Sequence, residues 1–275
     1  MSDPSDPKKL AAENVATRKR GEMRAMDPCK GLHALKTDFQ KKYTAQQCDA
    51  LLSKLDTAIA ATLDAAPVRR GKYFQAHANR TPTGGEARWE QAMWEQWQGP
   101  RCDSVPGAWY RIVDYQLMLR GTNEDKDWGE IDLLGVTHQG LPVVIELKAP
   151  GASDTPASLL VQAAAYALAL RKAWVKIGSE WSIEVAQYGF GRSLSPTLPI
   201  CPLVCAAPTK YWDNWIGQSA RAKTVTRDDW TAFMRLVLAF AERGLPASFV
   251  RLDNSATDAA GLPRDIRAQV LDPFV

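Results

Sequence analysis

The chain has 275 residues, of which 45% are hydrophobic and 24% charged, and its net charge is +3. These values are typical of a globular protein and exclude a highly charged disordered chain. No apolar run approaches the roughly 20 residues of a membrane helix, and the first residues lack the apolar region of a signal peptide. We therefore expect a cytoplasmic protein without a membrane partner, whose five cysteines are free buried thiols.

Charge is distributed unevenly along the chain. Residues 1–80 carry a net charge of +6, residues 81–155 carry −6 and residues 156–275 carry +3. An acidic centre between basic segments is typical of carboxylates that hold a cation while neighbouring Lys and Arg meet phosphates. Chance clustering of surface charge explains the same pattern equally well.

The chain divides into three regions. We assign residues 1–70 to a helical N-terminal appendage, in which Thr44 caps a helix that extends to Ala65. Residues 71–255 should form the main domain, and residues 256–275 a C-terminal tail. This division places the candidate catalytic residues in the central region.

A basic loop follows the N-terminal helices. It carries Tyr73 and Phe74 among positive charges, a pattern that suits phosphate neutralisation and base stacking. A plain surface linker explains the loop at least as well. Under the first interpretation, the substrate-binding residues of this loop are Arg69, Arg70 and Lys72.

Hydrophobic periodicity predicts an α/β fold for the main domain. Pro202 argues for an edge position of the strand that contains it. The predicted elements are a helix over 86–98, strands over 109–120, 130–134 and 143–148, a helix over 156–172, strands over 182–190 and 199–206, helices over 209–219 and 227–243, and a strand over 247–252.

Two short strands in the middle of the chain each have an apolar face and a partly charged face. Because side chains alternate along a strand, Glu130 and Asp132 share a face of the first, and Glu146 and Lys148 share a face of the second. A three-residue loop sets Asp132 opposite Glu146 and Glu130 opposite Lys148, whereas a two-residue loop sets Asp132 opposite Leu147, in the core. We therefore predict the three-residue loop, His138-Gln139-Gly140, or an equivalent bulge.

This geometry favours a divalent cation. Adjacent carboxylates repel each other, and the usual relief is a divalent cation or a shared proton. Mg²⁺ or Mn²⁺ held by Asp132 and Glu146 can polarise a phosphoryl oxygen and activate a bound water. Lys148 can hold that water or offset the charge of the transition state. The pattern predicts metal-dependent hydrolysis of a phosphodiester.

The helix after Pro156 is apolar apart from a few side chains, and Gln162 and Tyr166 lie at i and i+4 on one of its faces. A buried helix places polar groups where they have partners. Taken alone, a core tyrosine with an incidental glutamine is the simpler interpretation.

Taken together, Asp132, the Glu146-Leu147-Lys148 run and the Gln162-to-Tyr166 spacing resemble the PD-(D/E)XK nuclease superfamily. The last element is similar to the QxxxY motif of its RecB-like branch. The resemblance covers residues 86–170. It implies a mixed α+β sheet flanked by helices in αβββαβ order, a DNA substrate and a Mg²⁺ or Mn²⁺ cofactor. The proline that gives the motif its name would precede Asp132, but this chain has Ile131 at that position.

The resemblance also assigns roles. Asp132, Glu146 and a helix glutamate would ligate the metal, and Lys148 would be the catalytic lysine. The helix glutamate would be Glu90 or Glu86; the position of Glu90 in Arg88-Trp89-Glu90 favours it, which leaves Glu86 beside the metal ligands. Glu130 lies outside the motif and would either support the metal ligands from outside or be a partner of Lys148. The two residues that would contact DNA or brace the site are Gln162 and Tyr166.

Two other functional classes remain open from the residues alone. One is a nucleic-acid-binding protein on a nuclease fold that does not cut, such as an accessory subunit in repair or phage defence. The other is an unrelated α/β interaction protein. In either case the N-terminal helical region is a candidate surface for a protein partner, and the oligomeric state is open.

Overall fold

The computed structural model describes residues 31–69, 71–74, 84–99, 104–119, 128–190, 197–216 and 224–272. Within them lie seven helices and six strands. In chain order these are α1 Leu32–Phe39, α2 Ala45–Leu52, α3 Leu55–Ala65, α4 Gly85–Trp97, β1 Arg111–Met118, β2 Glu130–Val136, β3 Pro142–Leu147, α5 Pro156–Ala186, β4 Leu203–Pro208, α6 Thr209–Ile216, α7 Arg227–Glu242, β5 Ala247–Thr257 and β6 Pro263–Leu271.

The six strands form one mixed sheet in the order β1-β2-β3-β4-β5-β6. Strand β4 runs parallel to β3 and to β5, and the other neighbouring pairs are antiparallel. The predicted mixed α/β fold class is thus confirmed. From α4 to β4 the elements follow the expected αβββαβ order, although the last strand of that series is not the predicted one.

The two faces of the sheet are covered by different helices. On β3, Val143 and Ile145 pack in a cluster with α4, whereas Val144 packs in a larger cluster with α5 and the N-terminal helices. This is the alternation expected of a strand buried on both sides. Glu146 is two residues after Val144, so its side chain leaves β3 on the same face, which is the one that α5 covers.

The predicted strand over 182–190 is wrong, because α5 continues to Ala186. Its buried face carries Trp174, Ile177, Trp181 and Val185 at helical spacing. In addition, the indole of Trp181 donates a hydrogen bond to the carbonyl oxygen of Gly140 at 3.1 Å. Packing against the β2–β3 turn therefore overrides the short apolar alternation. Among the described residues, no helix, α5 included, has the combined length and apolarity needed to cross a membrane.

The N-terminal region is not an appendage over its described part. One core cluster contains Leu35 and Phe39 of α1 together with the buried face of α5. The carbonyl oxygen of Phe39 also accepts a hydrogen bond of 2.6 Å from Thr155 Oγ1, and Thr155 caps α5. In addition, Ser53 and Lys54 divide the single helix predicted from Thr44 into α2 and α3. The region forms part of the helical layer because its apolar residues complete the core.

Two expectations for the later strands also change. Pro202 does not mark an edge strand: it precedes β4, which lies inside the sheet, and its carbonyl oxygen accepts a hydrogen bond from the Val144 amide. The expected tail over 256–275 contains the end of β5 and all of β6. Among the described strands, β6 is the edge opposite β1, and only two of its nine residues are buried, which fits a sequence without a strong apolar alternation.

Candidate metal centre at the end of the central strands

The β2–β3 hairpin sets the geometry of the site. Val136 pairs with Pro142, and Leu133 pairs with Ile145. The same register, continued by one residue, sets Asp132 beside Glu146. The three-residue loop is confirmed, and Gly140 closes it with a φ of 81°. Asp132 Oδ2 accepts a hydrogen bond of 2.7 Å from the Leu147 amide, so the carboxylate is bound to the end of the neighbouring strand.

Three carboxylates converge at this end of the hairpin. Glu86, Asp132 and Glu146 each offer an oxygen, and these oxygens all lie within 4.8 Å of one another. Glu146 is completely buried, while Glu86 and Asp132 are partly exposed. We call these three residues the acidic triad. Among the described residues, the triad is buried on the Glu146 side, whereas the Glu86 side chain is 36% exposed.

Lys148 lies against the acidic triad. Its Nζ is 2.8 Å from Glu146 Oε1 and 3.1 Å from Glu86 Oε1, and its side chain is only 9% exposed. The Lys148 amide donates a hydrogen bond of 3.0 Å to the carbonyl oxygen of Ala206 on β4, which fixes the backbone just after β3. The structure thus brings Asp132, Glu146 and Lys148 together, as the sequence predicts.

The electrostatics of the triad reflect crowding of like charges. Burial, and then the charge of Glu146, raise the pKa of Asp132 well above its usual range. Burial also raises the pKa of Glu146, although Lys148 opposes the shift. Burial alone would lower the pKa of Lys148, but the three neighbouring carboxylates outweigh it and raise that pKa. Lys148 is therefore a fixed cation at neutral pH.

The donor set fits a hard divalent cation. All three ligand groups are carboxylates, which Mg²⁺ and Mn²⁺ prefer. The second oxygen of Glu146, Oε2, is buried and has no hydrogen-bond partner among the described residues. A buried carboxylate oxygen without a donor is costly, and coordination to a cation satisfies it. Asp132 and Glu146 would hold the ion from the sheet, and Glu86 from α4.

Glu90 occupies a different environment from Glu86. It is buried, and its Oε2 accepts a hydrogen bond of 2.8 Å from Gln116 Nε2. Burial and then the charge of Asp132 raise its pKa to about 8. The structure therefore brings Glu86, rather than the favoured Glu90, into the acidic triad. Glu86 is one helical turn earlier and nearer the open start of α4.

Gln162 and Tyr166 form a pair on α5. Gln162 Nε2 donates a hydrogen bond of 3.2 Å to the Tyr166 hydroxyl, and Tyr166 is buried. Burial raises the pKa of Tyr166, and the charges of Glu146 and Asp132 raise it further. This arrangement fits bracing of the site, one of the two roles predicted for the pair.

The described part of the basic loop, residues 67–69 and 71–74, packs away from the acidic triad. The amides of Tyr73 and Phe74 donate to Glu180 Oε2, and Lys176 donates to the carbonyl oxygen of Arg69. This segment thus packs on the later half of α5, roughly 15 Å along the helix from Tyr166. Lys72 is exposed there, and Arg70 lies outside the described residues.

Glu130 begins β2 and pairs with Met118 on β1. Within the described part of the chain, the ion-pair partners of Lys148 are Glu86 and Glu146, so Glu130 does not have the predicted contact with Lys148. Gln116 was not identified from the sequence. A single glutamine within an aromatic and β-branched strand gives no signal of its contact with Glu90.

Comparison with protein families, with curated protein sequences and with solved structures found no match for this chain.

Proposed function

We propose that this protein is a Mg²⁺- or Mn²⁺-dependent nuclease that hydrolyses phosphodiester bonds of DNA. The observation that carries the proposal is the convergence of three carboxylates and a buried lysine at one open corner of the sheet. Carboxylates at this spacing repel each other, and a bound divalent cation offsets that repulsion. A lysine held beside them adds a positive charge where a phosphate would gain negative charge.

Each residue then has a role. Asp132 and Glu146, held by neighbouring strands, and Glu86, at the start of α4, would bind the cation. The bound cation would polarise a phosphoryl oxygen and lower the pKa of a water molecule. Lys148, cationic at neutral pH, would orient the attacking water and stabilise negative charge on the phosphoryl group rather than remove a proton.

The proposal includes a PD-(D/E)XK core. The supporting features are the αβββαβ order from α4 to β4, an Asp132 and a Glu-x-Lys run on adjacent antiparallel strands, and a Gln162–Tyr166 pair on the next helix. In this arrangement Gln162 and Tyr166 brace the triad from behind. The assignment of DNA as substrate rests on the resemblance of these motifs to that superfamily.

The test is a cleavage assay on supercoiled plasmid, linear duplex and single-stranded DNA, with Mg²⁺ or Mn²⁺ and with EDTA. We expect metal-dependent cleavage that Asp132→Asn, Glu146→Gln and Lys148→Met each reduce by at least about 100-fold. Asp64→Asn is the matched control, because Asp64 is exposed on α3.

The outcomes also separate the alternative functional classes. Cleavage that persists in all three variants would refute the assignment of the site. DNA binding without cleavage under any metal condition would instead support a non-cutting binding protein. Neither binding nor cleavage, with all variants folded, would favour an interaction protein unrelated to nucleic acid.

A further inference from the structure

Gln116 interrupts strand β1 at the level of the acidic triad. Tyr115 pairs with Leu133 and Leu117 with Ile131, so Gln116 lies across the ladder from Asp132. Its φ is 52°, in the left-handed region that non-glycine residues rarely adopt. A strand residue in this conformation turns its side chain away from the regular alternation, and such residues persist where surrounding contacts hold them.

The side chain of Gln116 binds a residue of the opposing helix. Its Nε2 donates a hydrogen bond of 2.8 Å to Oε2 of Glu90, whose side chain is almost completely buried. Glu90 and Glu86 are four residues apart on α4 and therefore lie on the same face of that helix. A contact that fixes Glu90 to β1 thus also limits where Glu86 can lie.

The first turn of α4 has few other restraints. Its N-cap is Gly84, which makes no side-chain capping hydrogen bond. Within the described part of the chain, the hydrogen bond of the Glu86 side chain is the one from Lys148 Nζ. The position of Glu86 relative to Asp132 and Glu146 therefore depends on how the following turn, which carries Glu90, docks on the sheet.

We propose that Gln116 is a positioning residue for the metal centre. Trp89 and Met93 bury α4 on the sheet, and by binding Glu90 the side chain of Gln116 fixes the intervening turn on β1. This contact sets Glu86 at the distance at which it can share one cation with Asp132 and Glu146. This role rests on the proposed nuclease function, but the effect of Gln116 on cation affinity can be measured without any cleavage.

The test uses Mn²⁺ binding to the full chain, measured by calorimetry or from the electron paramagnetic resonance of free Mn²⁺. Gln116→Ala removes the amide, and Gln116→Gly removes it while making the positive φ unstrained. We expect both variants to bind Mn²⁺ at least about tenfold more weakly than the unmodified chain. Gln139→Ala, in the exposed β2–β3 turn, is the matched control and should bind Mn²⁺ normally.

Combination with Glu90→Ala shows whether Gln116 acts through Glu90. The double variant Gln116→Ala/Glu90→Ala should bind Mn²⁺ no more weakly than Glu90→Ala alone, because both changes remove the same link. Fully additive losses, affinity within twofold of the unmodified chain for Gln116→Ala, or restored affinity for Gln116→Gly would each overturn the proposal. Thermal unfolding in EDTA identifies variants that lose affinity because they unfold.

The two proposals can fail separately. If Mn²⁺ affinity depends on Gln116 but the unmodified chain cuts no DNA, the proposed function is wrong and the positioning role stands. If the unmodified chain cuts DNA and Gln116→Ala binds Mn²⁺ normally, the positioning role is wrong and the proposed function stands.

Discussion

Lys148 Nζ and Glu146 Oε1 form an ion pair of 2.8 Å in which the glutamate side chain is completely buried and the lysine side chain is 9% exposed. Both charges of the pair are removed from water, and each depends on the other for compensation. Glu146 lies within β3, whose six residues are all buried, and Lys148 follows that strand directly. A change to either residue of the ion pair should therefore alter both the acidic triad and the free energy of unfolding.

The first prediction concerns the loss of that lysine. Lys148→Met should lower the free energy of unfolding by about 3 kcal/mol at pH 8, because Glu146 is left buried without its cation. The loss should shrink as the pH falls, since protonation of Glu146 removes the uncompensated charge. Urea unfolding in EDTA at pH 5 and pH 8 measures it. Lys210→Met, on an exposed position of α6, should change stability by less than about 0.5 kcal/mol.

The second prediction concerns Glu90, whose pKa is about 8 in the folded chain and near 4.5 when unfolded. The folded state therefore binds more protons between these values, so stability falls as the pH rises through that window. Glu90→Gln keeps an acceptor for Gln116 and removes the titration. It should stabilise the metal-free chain by about 4 kcal/mol at pH 8 and by less than about 1 kcal/mol at pH 5. The free energy of unfolding of the unmodified chain and of Glu90→Gln is measured against pH in EDTA. If it changes equally with pH in both chains, Glu90 does not titrate in this window.

The third prediction concerns metal binding and stability. Mn²⁺ at 100 times its dissociation constant should raise the free energy of unfolding by about 2.7 kcal/mol, and EDTA should reverse the gain. Burial raises the pKa values of Asp132 and Glu146; the charge of Glu146 adds to the shift of Asp132, and that of Glu86 to the shift of Glu146. Protons therefore compete with the cation, and the gain should be smaller at pH 6 than at pH 8. Thermal unfolding with and without Mn²⁺ measures it. Glu146→Gln should remove most of the gain; a full gain in that variant would place the ion elsewhere.

The fourth prediction concerns the turn that sets the register of the hairpin. Gly140 has a φ of 81°, and a Cβ built there would lie 3.2 Å from Cδ1 of Phe190. Gly140→Ala should therefore lower the free energy of unfolding by about 1–2 kcal/mol through strain at this φ. Gly151→Ala is the matched control, because a Cβ there meets nothing within 4 Å. Equal stability of the two variants in denaturant unfolding would show that the turn relaxes without cost.

Sequence and structure agree best where a pattern is local. The alternation along β2 and β3, together with the length of the connecting turn, is sufficient to place Asp132 beside Glu146, because a shift of one residue would bury the carboxylate in the core. The Thr44 cap follows from local chemistry in the same way: its side chain accepts a hydrogen bond from the Gln47 amide.

Where the sequence misleads, distant contacts decide. The segment over 182–190 has a short strand-like pattern, yet contacts of Trp181 with the β2–β3 turn hold it as helix. The N-terminal helices have ordinary amphipathic faces, and nothing in their own sequence identifies α5 as the helix on which they pack. Strand β6 has little apolar alternation because it is an exposed edge, so pairing with β5 defines it.

By itself, the sequence determined the mixed α/β class and the meeting of Asp132, Glu146 and Lys148, since both follow from periodicities of two and 3.6 residues and from one tight turn. Only the tertiary structure decided which helix glutamate joins them. Glu86 and Glu90 lie on the same face of α4 and are equivalent to any local rule. The choice depends on how the helix docks on the sheet, where Gln116 binds Glu90 and Lys148 binds Glu86.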